Sequence, residues 1–191
     1  MTTYNEIAGR RVNFLSSDPS YVDTNSDGQV WYNSTSATLK SWLPTGAFSS
    51  ASNMNTGRQG IGSAGTQTAA LAFGGYIVPA NTGATESYNG TSWTSNPTGL
   101  NTARRSLAGC GIQTLALAFG GYSTAATGGT ELWNGTSWTS NPTGLGTGRY
   151  GLAGAGTQTA GLAFGGYTPT YSTATEEWSG TVVGTRTITT S

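Results

Sequence analysis

The apolar positions of this chain come in short bursts on a fixed beat. Ala-Phe-Gly-Gly-Tyr stands at residues 72–76, 118–122 and 163–167, spacings of 46 and 45 residues. Within each burst, bulky and small side chains alternate. On an extended strand Leu71 and Phe73 fall on one side, with Ala70, Ala72 and Gly74 on the other. Leu117 and Phe119 oppose Ala116 and Ala118 in the same way. A strand that is apolar on both faces but bulky on only one is buried on both, and large-on-small packing between adjacent sheets satisfies it. The segment is too short for a helix, is bracketed by Gly and has period two. A period of this length marks a repeat architecture, the kind that builds scaffolds and binding surfaces.

The middle repeat, residues 104–148, predicts four strands. A Gly-rich strand over 104–110 turns at 111–113 into a second strand over 114–119, which Gly120 and Gly121 end. A third strand covers 130–133. Asn134-Gly135 predicts a hairpin turn because both positions tolerate positive φ, and 138–140 form the fourth strand. Four short antiparallel strands in such a unit describe a β-propeller blade. The sister repeats cover 58–103 and 149–191. Nearer the N-terminus, Gly-Gln-Val-Trp-Tyr-Asn-Ser-Thr at 28–35 reads as a third strand and turn, and Leu-Lys-Ser-Trp at 39–42 as a fourth. Residues 29–57 therefore read as the outer half of a degenerate blade. The expectation is an all-β propeller of about four blades, three clear and one partial. Either residues 1–57 complete the ring or several chains associate to do so, which predicts a homo-oligomer.

Composition narrows the function. Only 8% of the 191 residues are charged and the formal net charge is zero, against roughly 25% charged in ordinary domains. The lack of a basic patch argues against nucleic acid. No run approaches the ~18 apolar residues of a membrane span, so no insertion is expected. The N-terminal residues lack the pattern of a signal peptide, which points to production in a cytoplasm. There is no His, which removes Ser/His/Asp and Cys/His catalysis. Acid pairs can be drawn among Asp18, Asp23, Asp27 and Glu177, but their spacing singles none out, and no enzyme activity or cofactor is expected. Cys110 stands where the sister repeats have Ala64 and Ala155, and it reads as a small buried side chain.

Other candidates recur with the beat. Arg58, Arg104 and Arg149, with Glu86, Glu131 and Glu176, are nearly the only charges in the repeats. They read as one structural ion pair per blade, tying neighbours together; a ligand-binding ring is the other reading. Asp23, Asn25 and Asp27 have the alternate spacing of a calcium loop followed by Gly28, but Ser34 stands where the loop needs Glu. A solvated Asx-type turn is the other reading there. Sequons at Asn33, Asn89 and Asn134 are mostly Asn-Gly turns. Residues 89–100 and 134–145 are identical, whereas the loops at 77–84, 123–129 and 168–175 differ. Divergence on one face suits recognition, with Tyr76, Tyr122, Tyr167 and Tyr171 as aromatic platforms. Free drift of surface loops gives the same pattern.

A Gly-Gly after an apolar strand, an aromatic, then Glu-x-aromatic and a Trp five residues on resembles the kelch repeat. Trp93 and Trp138 fill the Trp position, and Val183 departs from it. The resemblance covers residues 58–191 and implies a propeller used mainly for binding. Some kelch propellers are copper oxidases, but those need His ligands. Leu-Ser-Ser-Asp-Pro at 15–19, followed by 28–35 and by Ala-Gly-Thr-Gln-Thr-Ala-Ala-Leu-Ala-Phe-Gly-Gly at 64–75, is similar to kelch-like structural proteins of marine tailed phages. That resemblance implies a virion component on the tail, a fibre or the capsid surface. Residues 1–28 would dock it onto other virion proteins and residues 29–191 would be displayed outward, toward a cell-surface glycan. A soluble carbohydrate-binding lectin is the alternative.

Overall fold

Strands account for all the regular structure in a computed structural model of the chain, which describes residues 6–7, 10–11, 13–18, 30–41 and 48–180. No helix occurs among the described residues. The chain divides into two units, residues 1–50 and 51–191.

In the first unit, β1 (Glu6–Ile7) pairs antiparallel with β2 (Arg10–Arg11). A three-stranded sheet has β4 (Val30–Asn33) at its centre, between β3 (Asn13–Leu15) and β5 (Thr38–Ser41). The β4–β5 hairpin is the strand–turn–strand read from residues 28–42, although Trp42 lies outside the described residues. Its inner neighbour differs from that of a blade, because β3 runs parallel to β4. This pairing also takes part of the expected docking segment into one sheet with residues beyond the boundary expected at 28/29. Asp18 closes the sheet: it accepts hydrogen bonds from Lys40 Nζ at 2.6 Å, Asn33 Nδ2 at 2.7 Å and Trp31 Nε1 at 3.2 Å. Those donors, Lys40 foremost, hold its carboxyl at about 2, below its ordinary 3.8. A depressed carboxylate stabilises above its unfolded value and loses that contribution as pH falls through its folded one. We expect the Asp18 carboxyl carbon to titrate near 2 by NMR; a midpoint near 3.8 would contradict the bonding.

The second unit repeats one sheet. The first copy comprises β6 (Gly62–Thr66) and β7 (Ala69–Phe73), then a small hairpin of β8 (Tyr76–Ile77) and β9 (Ala80–Asn81), then β10 (Thr85–Tyr88) and β11 (Trp93–Ser95). The second comprises β12 (Ala108–Ile112), β13 (Leu115–Phe119), β14 (Thr130–Trp133) and β15 (Trp138–Asn141). The third shows β16 (Ala153–Gly156), β17 (Ala160–Phe164) and β18 (Thr175–Ser179); its expected fourth strand, with Val183, lies outside the described residues. Each sheet is an antiparallel meander in matched register, with Ala64↔Leu71, Cys110↔Leu117 and Ala155↔Leu162.

The first strand of the middle repeat begins at Ala108, later than the expected 104. The residues before it are used elsewhere: Arg104 O accepts from Gly75 N and Ser106 N donates to Gly60 O, both in the preceding repeat. The Asn134 turn also works differently from its expectation. Only Gly135 has positive φ, at 95°. Asn134 instead caps the loop, its Oδ1 accepting from Thr136 N and Ser137 N. Asn89 and Asn33 cap their turns in the same way.

The sheets stack through large-on-small contacts, with β12 packed against both β6 and β16. The Phe73 ring lies across Gly109, where a methyl group would come within 2.4 Å of Phe73 Cζ, and Phe119 lies across Gly154, where the figure is 2.6 Å. Polar bonds repeat alongside. Gln113 Nε2 reaches the carbonyls of Ala70 and Tyr88 in the first sheet, and Gln158 Nε2 reaches those of Ala116 and Trp133 in the second. Leu71, Phe73, Leu107, Trp133 and Trp138 belong to the core of the first interface. Cys110, Leu117, Phe119 and Leu152 belong to that of the second. Cys110 is buried, which pushes its thiol up to about 11 and makes it inert packing.

Candidate functional site

The recurring charges are paired. Arg58 Nη1 bonds Glu86, Arg104 Nη1 bonds Glu131, and Arg149 Nη1 bonds Glu176 at 2.5 Å. Each pair lies within one repeat rather than between two. It reaches the neighbour through the connecting segment: Leu100 N donates to Gly83 O in the first repeat, while Asn101 N, next in the chain, donates to Glu131 Oε2 in the second. Arg104 Nε also donates to Gly120 O, the carbonyl inside the Gly-Gly turn. In the third repeat burial pushes the Glu176 carboxyl up, but the bonds from Gly146 N and Arg149 outweigh it and hold the group below its ordinary value. These pairs tie strands and connecting segments together, although Arg104 Nη2 and Arg149 Nε and Nη2 are buried with no hydrogen-bond partner.

The tyrosines make a different arrangement. Each Gly-Gly pair has positive φ at both residues, for example 66° and 116° at Gly74 and Gly75, a backbone that favours glycine. The turn sets the following Tyr opposite the residue after the buried Arg: Gln59↔Tyr76, Arg105↔Tyr122 and Tyr150↔Tyr167 form isolated bridges. Extended backbone sends successive side chains to opposite sides. Arg104 and Arg149 are thus buried while Arg105 and Tyr150 stay half-exposed beside the tyrosines.

The result is a continuous row across three repeats. The Arg105 guanidinium lies 4.9 Å from the Tyr76 ring centre and 4.7 Å from that of Tyr122. Tyr122 meets Tyr150 at 5.3 Å, Tyr150 meets Tyr167 at 5.4 Å, and Tyr167 meets Tyr171 at 5.5 Å. Tyr171 ends the row 91% exposed. The four tyrosines singled out from the sequence fall on this row, and Arg105 and Tyr150 are the members that sequence reading missed. Their only signal was position, one residue past each recurring Arg. Asn81 fastens the first loop to the second: it accepts from Arg105 Nη1 at 2.9 Å and donates to the Tyr122 and Ser123 carbonyls. Aromatic faces interleaved with a guanidinium and amides suit a ligand that is apolar on one side and hydroxylated on the other.

The remaining candidates do not join this row. Asp23, Asn25 and Asp27 lie outside the described residues. Asp18 is tied up in the first unit's sheet, and Glu177 is exposed on β18. No group of three or more His, Cys, Asp or Glu side chains able to hold a metal occurs among the described residues. No protein-family model and no curated protein matches the chain.

Proposed function

We propose that this chain is a non-enzymatic structural protein of a phage virion, on the tail, a fibre or the capsid surface, and that its tyrosine row attaches to a host-cell glycan. In this reading the repeated sheets are consecutive blades of a kelch-like β-propeller. The antiparallel meanders with packed first strands support that. The segment before residue 29 docks on other virion proteins. The observation that carries recognition is the unbroken row from Tyr76 to Tyr171, which lies beside the loops that differ between repeats and takes Tyr171 from one of them, while the buried charges serve the fold.

Two measurements test it. The isolated chain should bind saturably to members of a glycan array. Tyr171→Ala should weaken that binding about tenfold, a loss of about 1.4 kcal/mol, without lowering the melting temperature, since its ring is exposed. Equal binding by the wild type and a Tyr167→Ala/Tyr171→Ala double variant would exclude the row. Mass spectrometry of purified particles should find the protein. Its absence there, with glycan binding intact, would leave the soluble lectin reading.

A further inference from the structure

Each recurring Arg has a Glu partner, but Arg105 has no acidic partner among the ion pairs of the described residues. It is half-buried, between two tyrosine rings, with Nη1 held by Asn81 Oδ1. Stacking and the Asn81 bond fix the guanidinium plane while leaving other N–H donors of its fork to a ligand. The middle repeat departs from its sisters at this spot twice in succession. Gln59 and Tyr150 stand where Arg105 is, and Gly60 and Gly151 stand where Ser106 is. Ser106 keeps the left-handed backbone of those glycines, with φ of 52° against 63° and 64°. A non-glycine residue there is strained by about 1–2 kcal/mol. The chain thus carries a cation, followed by a serine at a cost in backbone energy, between the first two tyrosines of a row that is otherwise neutral.

We infer that Arg105 is an anion seat within the tyrosine row, and that the ligand is an acidic saccharide whose carboxylate or sulfate group binds its guanidinium while the neighbouring sugar rings lie on the tyrosines. This rests on the glycan reading above. A planar guanidinium matches both oxyanions, and charge-assisted bonds of this kind are roughly twice as strong as neutral ones. The chain's zero net charge supplies no general attraction for anions, so selectivity must come from this seat.

Three oligosaccharides of equal length separate the sources: an oligogalacturonate, a sulfated galactan fragment and its desulfated counterpart, titrated by calorimetry. At least one anionic arm should bind ten times or more tighter than the neutral one, and the advantage should shrink as salt is raised. Arg105→Gln should erase the advantage, so that the anionic and neutral arms bind alike. That variant carries the residue the first repeat already has at this place, and its melting temperature reports any misfolding. Neutral binding as tight as anionic would overturn the seat while sparing the glycan reading. Should no saccharide bind, the glycan reading falls, and the seat is judged on the NMR shift of Arg105 Nε–H during titration with sodium glucuronate. A saturating shift, absent with glucose, upholds an anion site; no shift overturns it.

Discussion

Arg104→Ala should lower the unfolding free energy by about 3–5 kcal/mol, the usual cost of leaving one half of a buried ion pair alone. Both partners are enclosed: the Arg104 and Glu131 side chains are 1% and 3% exposed. The truncation strands a carboxylate and also removes donors from the carbonyls of Thr102 and Gly120. Chemical denaturation would show it as a reduced midpoint, and an unchanged midpoint would contradict the structural role. Replacing both partners by apolar residues, as Arg104→Met/Glu131→Leu, should not restore stability. The Glu131 carboxylate also accepts from Asn101 N at 2.7 Å and Thr102 N at 3.3 Å, and those amides would lose their acceptor. Arg149→Ala should cost less, because Glu176 is 32% exposed and water can take over its solvation.

Phe73→Ala should cost about 3–5 kcal/mol, the range for emptying an aromatic site in a core. Phe73 is fully buried, meets Trp138 edge-on at 4.8 Å and covers Gly109 of the next sheet. The melting temperature should fall by roughly 10 °C. Phe164→Ala, at the same place in the third repeat but 39% exposed, should cost about 1 kcal/mol or less. Equal losses at the two sites would mean that stacking between sheets is not what holds Phe73. A glycine substitution probes the same contact from the other side. Gly109→Ala places its methyl against Phe73 Cζ and within 2.8 Å of Ser63 O; a backbone atom cannot move aside, and overpacking of this kind costs about 1–3 kcal/mol.

The features legible in the sequence were those that recur by identity. Leu71 and Phe73 against small residues announced a strand packed on both faces, and the equal spacing of Arg104 and Glu131 announced a pair. The tyrosine row was only half legible. Its other positions are filled by Gln59, Arg105 and Tyr150, which share a place in the backbone but no chemistry, so repetition of residue type was silent there. The parallel β3–β4 pairing was hidden for another reason: it joins segments distant in the sequence, and no local pattern encodes which strand lies beside which. The Asn134 turn shows local chemistry overriding a local rule. The side-chain oxygen caps the loop, and only the glycine needs the left-handed backbone.

The glycine seats have a consequence for growth. Between the described sheets, each such phenylalanine, Phe73 or Phe119, rests on a glycine of the next sheet. At the front of this stack, where Gly109 and Gly154 lie flat beneath a ring, the first sheet carries Ser63. At the two internal seats a methyl group would come within 2.4 and 2.6 Å of the ring, so Ser63 offers no comparable seat. A further layer added at this face would need a contact other than the phenylalanine-on-glycine one used internally.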